Sequence, residues 1–186
     1  LSVNLTQKQF LDDHLASDVS AILAETGFDP ALLELEISET TLMANVDRTL
    51  RILEALRACG VRVALDDFGS GYTTLASLEQ FPLATLKIDR SFIRQLVQAT
   101  EGESLADAVI AMGKALSVTV VAQGVETREQ LEYLREHECD EVQGFYFNAP
   151  LSGDELPAVW HRHDVEWPPV VKAGRPTRPE RSPKPS

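Results

Sequence analysis

Short apolar and β-branched runs alternate along the chain with stretches whose apolar positions recur every three or four residues. "LSVNL" (1–5) reads as a strand, and Thr6-x-x-Gln9 behind it is a capping-box pattern. The helix that this box opens carries Leu11, Leu15, Ile22 and Leu23 at helical spacing and ends at Gly27. "LLELEI" (32–37) is the second strand. Asn45 caps the next helix, with Val46, Leu50, Leu53 and Leu56 inward and Gly60 at its end. "VRVAL" (61–65) is the third strand, followed by a short helix near 73–80. "ATLKI" (84–88) is the fourth, with a longer connection leading to a helix of about 104–116 capped by Ser104. "VTVVA" (118–122) is the fifth, before a helix capped by Thr127-x-x-Gln130 that turns Leu131 and Leu134 inward. "DEVQGFYF" (140–147) holds the sixth strand, and Ser152-x-x-Glu155 caps the last helix.

Six βα units follow one another without an internal repeat. Several of the strands are near-continuous apolar runs, as strands covered on both faces are. Alternating βα units imply a parallel sheet, either open and doubly wound or closed into a barrel. Nearly every strand ends in a polar residue: Asn4, Glu36, Asp66 with Asp67, Lys87, Gln123 and Gln143. A doubly wound sheet gathers its ligand at one switch point. A barrel gathers all its strand ends at one mouth. The expected fold is therefore α/β, a TIM-like barrel. A complete eight-stranded barrel takes about 250 residues, so roughly two βα units are expected to be missing from the front. The opening "LSVNL", without a methionine and already apolar, reads as a cut.

Each polar strand end has an ordinary explanation alone: a turn residue, a solvated loop entry, a snorkelling lysine. Together they form the oxygen-rich set that hard divalent cations such as Mg²⁺ or Mn²⁺ require. Adjacent Asp66 and Asp67 repel each other, and burying them is costly unless water or a cation faces them. The pair is suited to two ions, and two ions about 3.5–4 Å apart suit in-line displacement at a phosphodiester. Lys87 would orient a water or balance charge on the phosphoryl oxygens.

Charge sharpens this picture. The 186 residues carry a net charge of −12. From Val165 onward five basic residues face two acidic ones, and six of the ten prolines lie there, so the acidic excess belongs to residues 1–164. An acidic body argues against direct binding to DNA or RNA phosphates. The segment 165–186 reads as a disordered, proline-rich basic tail behind a domain of residues 1–164. No run of about 18 apolar residues is present to span a membrane, and no secretory signal opens the chain. Cys59 and Cys139 have no metal-ligand spacing and read as free thiols of a reducing cytoplasm. His161 and His163, two positions apart on an expected helix, point to different faces and do not form a metal pair.

"VNLT", "LELEISET", "ALDDFGSGYTTL", "LKIDRSFI", "VVAQGVET" and "VQGFYFNAPL" resemble successive motifs of the EAL-domain family from Leu1 to about His161. That family hydrolyses the bacterial second messenger cyclic di-GMP to linear pGpG with two Mg²⁺ or Mn²⁺ ions on a TIM-like barrel. The resemblance implies that Asn4, Glu36 and Asp66 hold the first metal and that Asp66 and Asp67 reach the second. It implies that Lys87 positions water, and that Glu39 anchors the glycine loop Phe68, Gly69, Ser70 and Gly71, which is tied to dimerisation and activity. Glu126 and Gln143 fall on the family's active-site set, and Phe147, Pro150 and Leu151 on the stretch near its guanine pocket. It further implies a possible homodimer through the glycine loop, an upstream GGDEF or sensory domain, and a cytoplasmic location, alone or as the cytoplasmic portion of a membrane-attached protein.

Two departures from the family pattern matter. The Glu-Ala-Leu segment, whose glutamate is a metal ligand, precedes the point where this chain begins. Gln123 stands where the family usually has a glutamate that contacts metal and is a proposed general base. An amide cannot take a proton from water, and losing one positioned acid–base group lowers rates by about 10²–10⁴. The second metal is expected to bind more weakly as well. The expectation is an impaired cyclic di-GMP phosphodiesterase. Its alternatives are a catalytically inactive receptor or protein-interaction module, and unrelated chemistry on a similar barrel.

Overall fold

Six parallel strands form a half-barrel in the order β1-β2-β3-β4-β5-β6, each hydrogen-bonded to the next in sequence. The computed structural model describes residues 1–69, 73–96 and 104–159. The strands are β1 Ser2–Asn4, β2 Glu34–Ser38, β3 Arg62–Phe68, β4 Thr85–Ile88, β5 Thr119–Gln123 and β6 Glu141–Gln143. Neighbours in sequence being neighbours in the sheet is the simplest parallel winding, with one crossover per step. Helices α1 Gln7–Phe10, α2 Leu15–Thr26, α3 Glu39–Met43, α4 Val46–Ala58, α5 Leu75–Leu78, α6 Arg90–Gln95, α7 Leu105–Leu116 and α8 Arg128–Glu136 fill the crossovers.

The two-residue period of a strand divides its side chains between two faces. Leu35 and Ile37, Val63 and Leu65, Leu86 and Ile88, and Val120 and Ala122 are all buried. Helices α3, α4, α6 and α7 pack on strands β2 to β5, supplying Leu42, Leu53, Leu56, Ile93 and Ile110 to the core. Each such fully buried aliphatic side chain contributes about 1.5–3 kcal/mol. The alternate positions, Glu34, Glu36, Ala64, Asp66, Thr85, Lys87 and Gln123, share the other, concave face.

Local chemistry explains the element ends. Thr6 and Thr127 form complete capping boxes with Gln9 and Gln130, Asn45 and Ser104 cap α4 and α7, and Gly27 closes α2 in the left-handed region. The long first helix divides in two. After one turn Leu11 caps α1, and the Asp12 side chain takes the N–H of His14, a local turn that competes with helix continuation. Ile22, expected inward, is 58% exposed. Helix α6 lies in the long connection after β4, where no helix was expected. Ser152 donates its N–H and hydroxyl to Glu155, which closes a turn ahead of the last helix, α9 Leu156–Val159.

The chain divides into two compact units, Leu1–Ala149 and Pro150–Ser186. In the second, the described residues comprise the Ser152–Glu155 turn and α9. His161, His163 and the tail 165–186 lie outside the described residues. No helix among the described residues is long and apolar enough to cross a membrane.

Candidate metal centre

Parallel register sets Asn4 beside Glu36 and Ser38 beside Asp66. On β4, Lys87 shares the concave face with Thr85. Its Nζ donates to Glu36 Oε1 at 2.6 Å and lies 4.0 Å from Asp66 Oδ1. Glu36 and Lys87 sit two strands apart, and β3 between them presents Ala64, fully buried and too small to obstruct the contact. One cation thus faces two carboxylates. Asp66 Oδ1 is buried and accepts no hydrogen bond, so the oxygen is stabilised by charge alone.

Asp67 departs from the regular strand. The β3–β4 register slips between Leu65 and Phe68, and Asp67 has φ of 51°, a left-handed conformation uncommon outside glycine. Burial, reinforced by the negative charges of Asp66 and Asp89, raises the Asp67 pKa above the ordinary carboxylate value, with Arg90 opposing. Burial acts in the same direction on Asp89, but hydrogen bonds from Ser91 and from Asp67 outweigh it and lower the Asp89 pKa. The two neighbouring carboxyl groups therefore shift in opposite directions, Asp67 upward and Asp89 downward. Asp89 was not among the residues expected here. It follows the strand end Lys87-Ile88 directly and caps α6 by accepting from Ser91 N at 2.8 Å. Its position one step past a polar strand end was the available signal.

Glu39 is 3% exposed and accepts from Gly69 N at 3.3 Å and Thr73 N at 2.8 Å, so it holds the chain on both sides of residues 70–72. Phe68 is buried. Gly69 has φ of 105°, and a Cβ there would collide with the Phe92 ring at Cε2. Ser70 and Gly71 lie outside the described residues. Gln123 ends β5 half-buried, in register with exposed Gln143. Glu126 is 47% exposed and faces Arg94 at 3.6 Å, an ion pair largely screened by solvent. Phe147 is half-buried and packs edge-on against Tyr146, with ring centroids 5.5 Å apart. Pro150 and Leu151 are exposed and belong to the second unit.

The donor set fits a hard divalent cation in kind: an amide oxygen from Asn4 and carboxylates from Glu36, Asp66 and Asp67. The orphaned Asp66 oxygen, and the raised pKa of Asp67 beside the negative charges of Asp66 and Asp89, mark a place where negative charge is crowded. The strand ends bring these residues to one edge of one face without converging them on a point. Among the described residues no three His, Cys, Asp or Glu side chains stand close enough together to hold a metal ion, and Glu36 is held by Lys87.

The EAL-domain family profile matches residues 1–150. The cyclic di-GMP phosphodiesterase NbdA of Pseudomonas aeruginosa is 46% identical over 137 residues, covering 74% of this chain and 18% of that protein. A structure of the phosphodiesterase PaMucR in complex with cyclic di-GMP superposes with a TM-score of 0.79 at 39% identity, covering 83% of this chain and 63% of that one. A manganese and cyclic di-GMP complex of BlrP1 from Klebsiella pneumoniae gives a TM-score of 0.73 at 30% identity, with 81% and 38% covered. The chain spans about a fifth of the length of the curated relatives it matches. Divalent metal accompanies cyclic di-GMP in BlrP1, as manganese in one structure and calcium in another.

Proposed function

This chain belongs to the EAL-domain family, and from that premise we propose that it binds cyclic di-GMP and hydrolyses it slowly to pGpG with Mg²⁺ or Mn²⁺. The observation that carries the reading is the nearly buried Lys87, set between Glu36 and Asp66 on the face that also carries Asn4 and Gln123. Maintaining one cation against two desolvated carboxylates is a poor device for stability. It is a good one for handling a phosphodiester.

In this reading Asn4, Glu36 and Asp66 hold a first metal, and Asp66 and Asp67 reach a second, more weakly held one. When bound, such ions supply charge for the phosphoryl oxygens and an activated water. The chain's own residues do the rest. Lys87 fixes the Glu36 and Asp66 carboxylates and adds positive charge near the phosphoryl group. Gln123 takes no proton, which removes the base expected at that strand end. Glu126 and Gln143 complete the polar rim, Phe147, Pro150 and Leu151 serve the guanine bases, and Glu39 steadies the loop from Phe68 to Gly71. A homodimer through that loop, an upstream GGDEF or sensory domain, and a cytoplasmic setting complete the assignment.

Gln123 also favours a second reading, a receptor that binds cyclic di-GMP without turning it over. Incubation of the chain with cyclic di-GMP and excess Mn²⁺ or Mg²⁺, with pGpG followed by chromatography and cyclic di-GMP binding by calorimetry, separates the two. Slow, EDTA-sensitive pGpG release is expected. Binding without release would establish the receptor, and neither binding nor release would overturn both.

A further inference from the structure

We propose that Ser2, Glu34 and Thr85 form a positioning tier that sets the spacing of Asn4, Glu36 and Lys87, an assignment that rests on the metal-dependent reading above. Glu34 is buried, at 8% exposure, on the same face as Glu36. Its Oε1 accepts from Ser2 Oγ at 3.1 Å, and its Oε2 accepts from Thr85 Oγ1 at 2.6 Å. Each member stands two residues before a residue of the candidate centre: Ser2 before Asn4, Glu34 before Glu36, Thr85 before Lys87. On β3 the same step relates Ala64 to Asp66. Ala64, in register with Thr85 and with Glu36, is fully buried and small, and it lets Thr85 reach diagonally to Glu34, whose own β3 partner is Arg62.

Stability is a poor account of this arrangement. Among the described residues no ion pair reaches Glu34, and burying a carboxylate that is not paired with a cation is costly. The tier provides lateral distance instead. Two hydroxyl bonds to one planar carboxylate tie β1 and β4 to β2, and each strand then carries its next concave-facing side chain forward by a fixed rise. A ligand set displaced by about 1 Å for want of such support loses much of its function. Ser2, Glu34 and Thr85 are thus positioning residues for the metal-facing tier and touch neither metal nor substrate.

The test measures Mn²⁺ binding to the full chain by calorimetry and by the electron spin resonance of free Mn²⁺, which require no turnover. Thr85→Val removes one donor at constant shape. It is expected to weaken Mn²⁺ binding by about tenfold or more, the usual effect of losing a support behind a ligand. Thr85→Ser should restore the affinity. Glu34→Gln and Ser2→Ala provide the same test should Thr85→Val fail to fold, with circular dichroism identifying the folded variants. Unchanged Mn²⁺ affinity in folded variants would overturn the positioning role and leave the metal reading intact. No Mn²⁺ binding by the unmodified chain would overturn the metal reading and this proposal with it.

Discussion

Lys87 and Glu36 form a 2.6 Å ion pair that passes over β3, with side chains only 7% and 5% exposed. Asp66, the second carboxylate facing that ammonium, carries an oxygen with no hydrogen bond. Removing one member of a buried pair costs about 3–5 kcal/mol, because the other is left uncompensated. Lys87→Met should therefore destabilise the metal-free chain by about 3 kcal/mol in urea unfolding. Saturating Mn²⁺ should recover part of the loss, since a ligand that binds only the folded state raises its stability. An unchanged urea midpoint would show that the pair contributes nothing to the concave face.

Gly69→Ala tests the turn that leaves β3. The backbone there, at φ of 105°, is one that only glycine adopts without strain, and the added methyl would meet the Phe92 ring. Backbone strain alone costs about 1–3 kcal/mol, and displacement of Phe92 adds to it. A clear fall in melting temperature is expected. Equal melting of the two proteins would contradict the described geometry.

Much of this fold was legible because several signals agreed on each element. The near-continuous apolar strands, the capping boxes at Thr6 and Thr127 and the glycine stop at Gly27 all specify local structure without tertiary help. The break between α1 and α2 was not legible. Leu11 and Leu15 keep helical spacing across it, and only the Asp12 side chain reveals the turn. Helix α6 was hidden by its length, since six residues carry too few apolar positions to show a period. In the candidate site, polar strand ends pointed to Asn4, Glu36, Asp66 and Lys87 because strand period and parallel register are simple rules. The left-handed backbone of Asp67, beside Asp89, accompanies a register slip that no spacing announces. The Glu34 tier escaped notice because an acidic residue in an alternating strand reads as solvent-facing until the barrel's concave side is built.

Cys139 provides a pH test of the packing beneath β6. Burial pushes its thiol from 9.0 up to about 12, against hydrogen bonding with the backbone of Glu141. Because the folded value is the raised one, the contribution to stability is complete below pH 9 and is lost as pH rises through about 12. The unfolded chain ionises first, giving a slope of about 1.4 kcal/mol per pH unit in between. Cys139→Ala should flatten the stability profile over that window and leave the slope below it unchanged. Identical slopes in the two proteins would show that the thiol is not desolvated.

The central claim, that this chain retains the metal-binding face of an EAL domain while Gln123 holds its chemistry back, is tested most directly by Gln123→Glu. The rate of pGpG formation from cyclic di-GMP at saturating Mn²⁺ should be compared for the two proteins side by side. Restoring a positioned proton acceptor should raise the rate by about 10² or more, with cyclic di-GMP affinity little changed. Equal rates, whether both fast or both absent, would contradict the role assigned to Gln123.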